Sequence, residues 1–363
     1  YTYMLNKQIA WAEGSAENDQ YNLLSRVSFG VYTDFTTCQK MIKEAQSSTE
    51  GVQKFYNALA KFIKAYELFY LSMEVGDIPY SDSNNAEGGN LKPKYDTQKN
   101  VMLEILKDLD DARSLFAQGE TFSGDPIFNG APANWLKVVT GFELKVLINL
   151  SKKIDDKDLN IKERFAKLVS SGNLMTSNDD NFQLVYSNAA NQLYPLYQND
   201  HDQYLMISST IVDPLKKFKD YRLFYYANPS AYQLAQGLKD TDWDSYLGID
   251  PSAIQSDINT LHGLGKFSGL NNRYIQPEGE PITRLSYMEQ NFILAEAALR
   301  GWIDPGKTSY YYKKGIQASM DFIVDHTAKD SDFEHGHEIT QDYLTSYLSQ
   351  DAIHLITPVR DKI

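Results

Sequence analysis

The chain has 363 residues, 42% of them hydrophobic, with 48 Asp and Glu against 35 Lys and Arg and a net charge of -13. That is enough apolar material for a large core in one big domain or two coupled ones. The acidic balance argues against nucleic acid and anionic lipid headgroups as partners, and the longest basic cluster, Lys216-Lys217 with Lys219, is too small to reverse it.

Amphipathic helices are the dominant pattern. From Phe55 to Val75, apolar residues fall at Phe55, Leu59, Phe62, Tyr66, Phe69 and Met73, in steps of three and four that make one stripe. Gly76-Asp77-Ile78-Pro79 ends this helix, because proline cannot continue it and biases its predecessor to extended geometry. A polar, glycine-bearing loop over 80–90 follows. The next helix starts near Asp96 or Thr97, either of which can cap it, with Met102, Ile105, Leu109, Ala112 and Phe116 on one side. A third helix is predicted after Asn134 as N-cap, with Trp135, Val138, Phe142, Val146 and Leu150 aligned. Between about 182 and 283 the helical signal weakens. Phe182 to Tyr186 alternates like a short strand, and Pro195, Pro214, Pro229, Pro251, Pro277 and Pro281 punctuate an irregular lobe. Ser286 and Glu289 form a capping box ahead of a helix over 287–300. After the Asp304-Pro305-Gly306 turn, a partner helix runs from about Ser309 to Val324. Small residues at Ala295, Ala298, Gly315, Ala318 and Ser319 let this pair approach closely, as in tetratricopeptide-like hairpins, although no fixed 34-residue period is present.

Chemistry-bearing motifs are few. The single cysteine, Cys38, excludes an intrachain disulfide and a multi-cysteine metal site. No apolar run approaches the ~20 residues of a membrane-spanning helix. Asp240, Asp242 and Asp244 imitate a calcium loop, but Ser245 replaces its glycine and Pro251 its glutamate. His335 and His337 lack an H-E-x-x-H pattern or an evident third ligand. No G-x-S-x-G elbow and no phosphate-binding glycine loop occurs. The expectation is therefore no catalytic residue, no metal and no cofactor.

Several segments, in order, carry a resemblance. Gly76-Asp77-Ile78-Pro79-Tyr80 follows a long helix, as a G-D-[IV]-P-Y segment does. Asp125-Pro126-Ile127-Phe128-Asn129-Gly130 precedes Trp135-Leu136-Lys137. Asp220-Tyr221-Arg222-Leu223 is similar to D-x-R-L. Leu285 to Ala297 is similar to a helix reading Y-x-E-x-x-F-[IL]-x-A-E-A. Together they resemble the SusD/RagB family over most of the chain. The chain departs from the family pattern at Val139 to Lys145 and at Asn149, where the pattern carries an arginine. The family pattern continues with a segment rich in Trp, Gly and Arg, which either lies beyond Ile363 in a longer protein or is absent. The resemblance implies a mainly α fold of irregularly stacked helical hairpins, an α–α superhelix. It would be a single domain with a scaffold over about 1–181 and 284–363 and a ligand-binding lobe over about 182–283. It also implies an outer-membrane, surface-exposed lipoprotein, anchored by an acylated cysteine that lies outside this chain. The opening at Tyr1 rather than Met fits a processed N-terminus, and Cys38 lies too far inside to be that anchor. Such a protein captures oligosaccharide, or peptide in one branch, for a SusC-like TonB-dependent transporter and performs no chemistry.

The chain carries 25 Tyr, 17 Phe and 4 Trp. Flat aromatic faces suit sugar C–H groups, and amides and carboxylates suit hydroxyls, so loop aromatics beside Asn and Asp are the candidates. They are Tyr80 with Asn84 and Asn85, Trp243 with Tyr246, and Arg273 with Tyr274. A peptide ligand on the same fold and a glycoside hydrolase using two carboxylates are the alternatives, the latter because carboxylate separation is a three-dimensional property.

Overall fold

A computed structural model describes residues 2–14, 18–21, 26–83, 89–198, 202–329, 332–350 and 353. The chain forms two compact units, one of residues 26–183 and 283–315, the other of residues 1–25, 184–282 and 316–363. Residues 1–25 and 316–363 thus group with the lobe segment, not with the helical scaffold to which the sequence reading assigned them.

The helical unit contains helices Tyr32–Ala45, Glu50–Val75, Gln98–Phe116, Pro132–Asn149, Ile161–Ser170 and Tyr287–Leu299, then the first turns of Thr308–Asp325. The Glu50–Val75 and Gln98–Phe116 helices pack along their length, and Pro132–Asn149 lies against the latter. The predicted stripes meet in one core except at Met73, which is exposed. Phe62 and Phe69 both put ring edges on Phe142, at 5.8 and 5.6 Å, and Phe116 stacks on Trp135 at 6.1 Å. Thr49 and Thr97 cap two of these helices by accepting from Val52 and Asn100. The Pro132–Asn149 helix starts earlier than predicted, after Ala131 and without a side-chain cap. Pro132 supplies the first turn instead, since its fixed φ suits that position and its missing N–H is not needed there; Asn134 lies inside the helix.

Ser286 caps the Tyr287–Leu299 helix through the Glu289 N–H at 3.1 Å. The Glu289 carboxylate does not return to the cap; it pairs with Lys145 at 2.8 Å. Gln290 is buried and exchanges two bonds of 3.0 Å with the Met175 backbone. A Cβ at Gly141 would sit 3.2 Å from Leu285 and 3.4 Å from Gln290, which accounts for glycine where the family-like pattern is broken. Gly315 has a like role, since a Cβ there would come within 2.9 Å of the Phe292 ring. The Glu143 carboxylate, fully buried, is held by Arg164 at 2.6 Å and Arg113 at 3.3 Å.

Asp180, 4% exposed, accepts Lys137 Nζ at 2.8 and 2.9 Å and Thr176 N at 2.7 Å. Burial pushes its carboxyl up, but the Lys137 and Thr176 donors outweigh that and hold it below the usual range. A depressed carboxyl contributes stability that is present above the unfolded value of about 3.9 and lost as pH falls through the folded one. Asp180→Asn is expected to cost about 2 kcal/mol at neutral pH and progressively less in acid. Urea unfolding across pH checks this; a deficit that stays constant into acid refutes the assignment.

In the second unit, β1 (Ile9–Trp11) runs antiparallel to β3 (Leu205–Ile207), pairing Ile9 with Ile207 and Trp11 with Leu205. The lobe is less irregular than predicted, with helices Ser209–Phe218, Arg222–Tyr226, Ala231–Ala235 and Gln255–Gly263 between its prolines. Its apolar centre gathers Ile207, Val212, Leu223, Phe224, Ala227 and Tyr246. The chain leaves the helical unit along β2 (Phe182–Leu184) and returns along β4 (Ile282–Leu285), and these two strands pair. The strand predicted over 182–186 is thus present but shorter. β4 was not foreseen, because Ile282-Thr283-Arg284-Leu285 is too short for alternation to stand out.

Candidate ligand-binding site

Tyr80 is not an exposed loop ring. It is 1% exposed, its hydroxyl donates to Asp108 at 2.7 Å, and the Lys64 ammonium lies 4.3 Å from its ring centre. The Asp96 carboxylate accepts the N–H groups of Tyr80 and Ser81 at 3.0 and 2.8 Å. Tyr80 therefore fastens the start of the loop to the helices. Asn84 and Asn85 lie outside the described residues.

The lobe gathers a larger aromatic group. Trp243 opens the single turn Trp243–Ser245 and is half-buried, with the Phe224 ring edge at 4.7 Å and the Lys219 ammonium at 4.7 Å. Lys219 reaches this place from a left-handed residue that closes the Ser209–Phe218 helix. His337 stacks on Phe224 at 3.6 Å, and its Nε2 bonds the Thr241 carbonyl at 2.8 Å. Tyr221 and Tyr343 stack at 3.8 Å; the Tyr343 hydroxyl accepts from Tyr221 N and donates to the Lys219 carbonyl. Trp243, Tyr221, Tyr343 and His337 all stay half-buried, so they offer ring surface beside the exposed Asp240, Asp244 and Lys219. Flat rings ringed by carboxylates and an ammonium can stack on a sugar and pair its hydroxyls.

Tyr246 lies within this group but is 0% exposed, with its hydroxyl on the Asp240 carbonyl at 2.8 Å. Arg273 is 2% exposed; its guanidinium bonds Glu280 at 2.9 Å and lies 4.5 Å from the half-buried Tyr274 ring. Burial pushes the Glu280 carboxyl up against this pairing. Asn271 holds that turn by donating to the Phe224 and Phe333 carbonyls at 2.8 and 2.7 Å. The exposure expected of Tyr246 and Arg273 is therefore absent, and both hold the lobe together. Burial pushes the His335 imidazole down, with Asp240 3.9 Å away, and among the described residues no three metal-ligating side chains converge.

The chain matches the SusD-like_2 family model, "Starch-binding associating with outer membrane", over residues 3–354. It belongs to the SusD-like family. Its fold is similar to that of a SusD homolog from Bacteroides fragilis NCTC 9343, with 47% identity, a TM-score of 0.91, and 97% of this chain and 74% of that chain covered. An outer membrane protein of Bacteroides vulgatus ATCC 8482 associated with nutrient binding gives 34% identity, a TM-score of 0.85 and coverage of 96% and 75%. A second Bacteroides fragilis SusD homolog gives 33%, 0.84, and coverage of 96% and 74%. No curated protein matches the chain.

In this SusD-like chain the segments that carried the resemblance are structural fasteners. Gly76 ends its helix at φ 85°, and Asp77 accepts the Gln98 N–H at 2.8 Å. Asp125 collects the N–H groups of Ile127, Phe128 and Gly130 and the Trp135 indole. Asp220 grips Arg222. Sequence reasoning did not single out Tyr221 and Tyr343 as candidates, although Tyr221 borders Trp243 at 6.2 Å and stacks on Tyr343.

Proposed function

We propose that this SusD-like protein is a non-enzymatic, lipid-anchored surface protein of the outer membrane that captures oligosaccharide and delivers it to a SusC-like TonB-dependent transporter. The family match over 3–354 carries this reading. The half-buried Trp243, with Tyr221, Tyr343 and His337 beside it, is the ring surface that meets the glycan. Tyr246, Arg273 and Tyr274 act as positioning residues that keep that surface in place. The loop anchored at Tyr80, with Asn84 and Asn85, supplies amide contacts.

Calorimetric titration with starch-derived and other plant, host and microbial oligosaccharides tests the reading. Trp243→Ala is expected to weaken binding at least about 30-fold, roughly 2 kcal/mol, the scale of a central tryptophan anchor. Binding of peptides but no glycan would replace this reading with the peptide one. Release of reducing sugar would replace it with a hydrolase. Co-purification with the transporter from membranes tests delivery.

A further inference from the structure

Within the helical unit, the Glu50–Val75 helix, β2 and β4 enclose a recess of about 510 Å³, within the range of small-molecule sites. Its floor is aromatic. Tyr66 meets Tyr70 at 5.0 Å and Phe182 at 6.0 Å between ring centres, above the buried Phe62. Tyr66, Tyr70 and Phe182 are half-buried and keep ring surface in the recess. Glu67 and Arg284 stand at the rim, and among the described residues neither makes a hydrogen bond or an ion pair. Arg284 also borders an adjoining recess of about 360 Å³ along the Tyr287–Leu299 helix, so the residue lines both.

We infer that this recess is a second saccharide site, and that it takes neutral pyranose units. The rings supply flat faces for sugar C–H groups. Glu67 offers acceptors and Arg284 a fork of donors, which together satisfy vicinal hydroxyls. The charges select neutrality. A uronate that pairs with Arg284 is repelled by Glu67, and an ammonium-bearing sugar that pairs with Glu67 is repelled by Arg284, so neither charge gains a net attraction to offset its desolvation. A ligand without charge uses both rim groups and is opposed by neither.

This inference rests on glycan capture as the function, but it concerns a place apart from Trp243, so the two fail differently. The test uses the whole chain, titrated with neutral α- and β-linked glucan and mannan oligomers and with oligogalacturonate as the acidic control. Glu67→Gln and Arg284→Met change rim groups that bear no structural bond, and their thermal unfolding should match the wild type. Each is expected to weaken one class of neutral-glycan site about tenfold, the loss of one charge-assisted hydrogen bond. Trp243→Ala should leave residual neutral-glycan binding that the added Arg284→Met weakens about tenfold, while oligogalacturonate stays unbound there. The recess proposal is overturned if Trp243→Ala removes all binding and the rim variants change nothing. It is overturned equally if the acidic oligomer competes for the residual site. Failure of every oligomer to bind the wild type overturns the glycan reading itself, and this inference with it.

Discussion

Asp220→Ala is expected to destabilise the second unit by about 3–5 kcal/mol, the scale of breaking one side of a buried ion pair. Asp220 is 1% exposed. Its carboxylate accepts Arg222 Nε at 3.0 and 3.2 Å and Nη2 at 2.5 Å, along with the Tyr347 hydroxyl at 2.7 Å. Arg222 continues the chain of bonds to Ser319 Oγ at 2.9 Å, so one carboxylate ties the Arg222–Tyr226 helix to the Thr308–Asp325 and Gln341–Ser349 helices. Truncation strands a guanidinium that burial cannot neutralise, because arginine stays protonated. Tyr221 stands between Asp220 and Arg222 with its ring on Tyr343. Glycan affinity at the proposed Trp243 surface should therefore fall as well, although Asp220 itself is buried. Hydrogen exchange should speed up over 220–226 and 341–349. The double variant Asp220→Ala with Arg222→Ala should cost less than the sum of the singles, because each single removes the same bonds. Strict additivity would show that the pair does not act as a unit.

Gly130→Ala is expected to cost about 3 kcal/mol or more in the helical unit, from backbone strain and collision together. Gly130 has φ 70°, and its added Cβ would fall 2.2 Å from the Phe122 carbonyl oxygen and 2.9 Å from the Phe122 ring. Backbone, not a mobile side chain, must give way. Asn129 beside it is also left-handed, at φ 50°, which asparagine tolerates. This double reversal brings three N–H groups and the Trp135 indole onto the Asp125 carboxylate, the indole at 2.7 Å. Trp135 in turn stacks on Phe116 in the core, so a turn residue is coupled to the packing of two helices. Asp125→Ala should destabilise in the same sense by leaving four donors unpaired. Denaturant midpoints and near-ultraviolet circular dichroism report both. A Gly130→Ala protein within about 0.5 kcal/mol of wild type would show that the turn relaxes freely.

Much of the scaffold was legible because helices bury one face at a period set by the backbone itself. The stripe through Phe55, Phe62 and Phe69, the Thr97 cap and the Ser286 cap all follow from residues within a turn or two of each other. The candidate site was less legible. Trp243 was found as a ring in a loop without helical periodicity. The same argument pointed to Tyr246 and Arg273, which are enclosed. Tyr246 is covered by Phe224, 22 residues away, with rings 4.9 Å apart. The Arg273 turn is held by an Asn271 bond to the Phe333 carbonyl, across 62 residues. Tyr66 packs on the core as its stripe predicts, 5.0 Å from the Phe142 ring, but an apolar stripe does not reveal where its edge opens onto a recess.

The sequence alone determined that this chain is mainly helical, where five of the six longest described helices run, Tyr32–Ala45 being the exception, and which family it joins, because periodicity, caps and ordered turn motifs are local and act through the nearest few residues. Only the tertiary structure decided which aromatic and charged side chains remain open to solvent. That outcome depends on partners brought together by long loops, and a side chain's covering cannot be read from its neighbours in the chain.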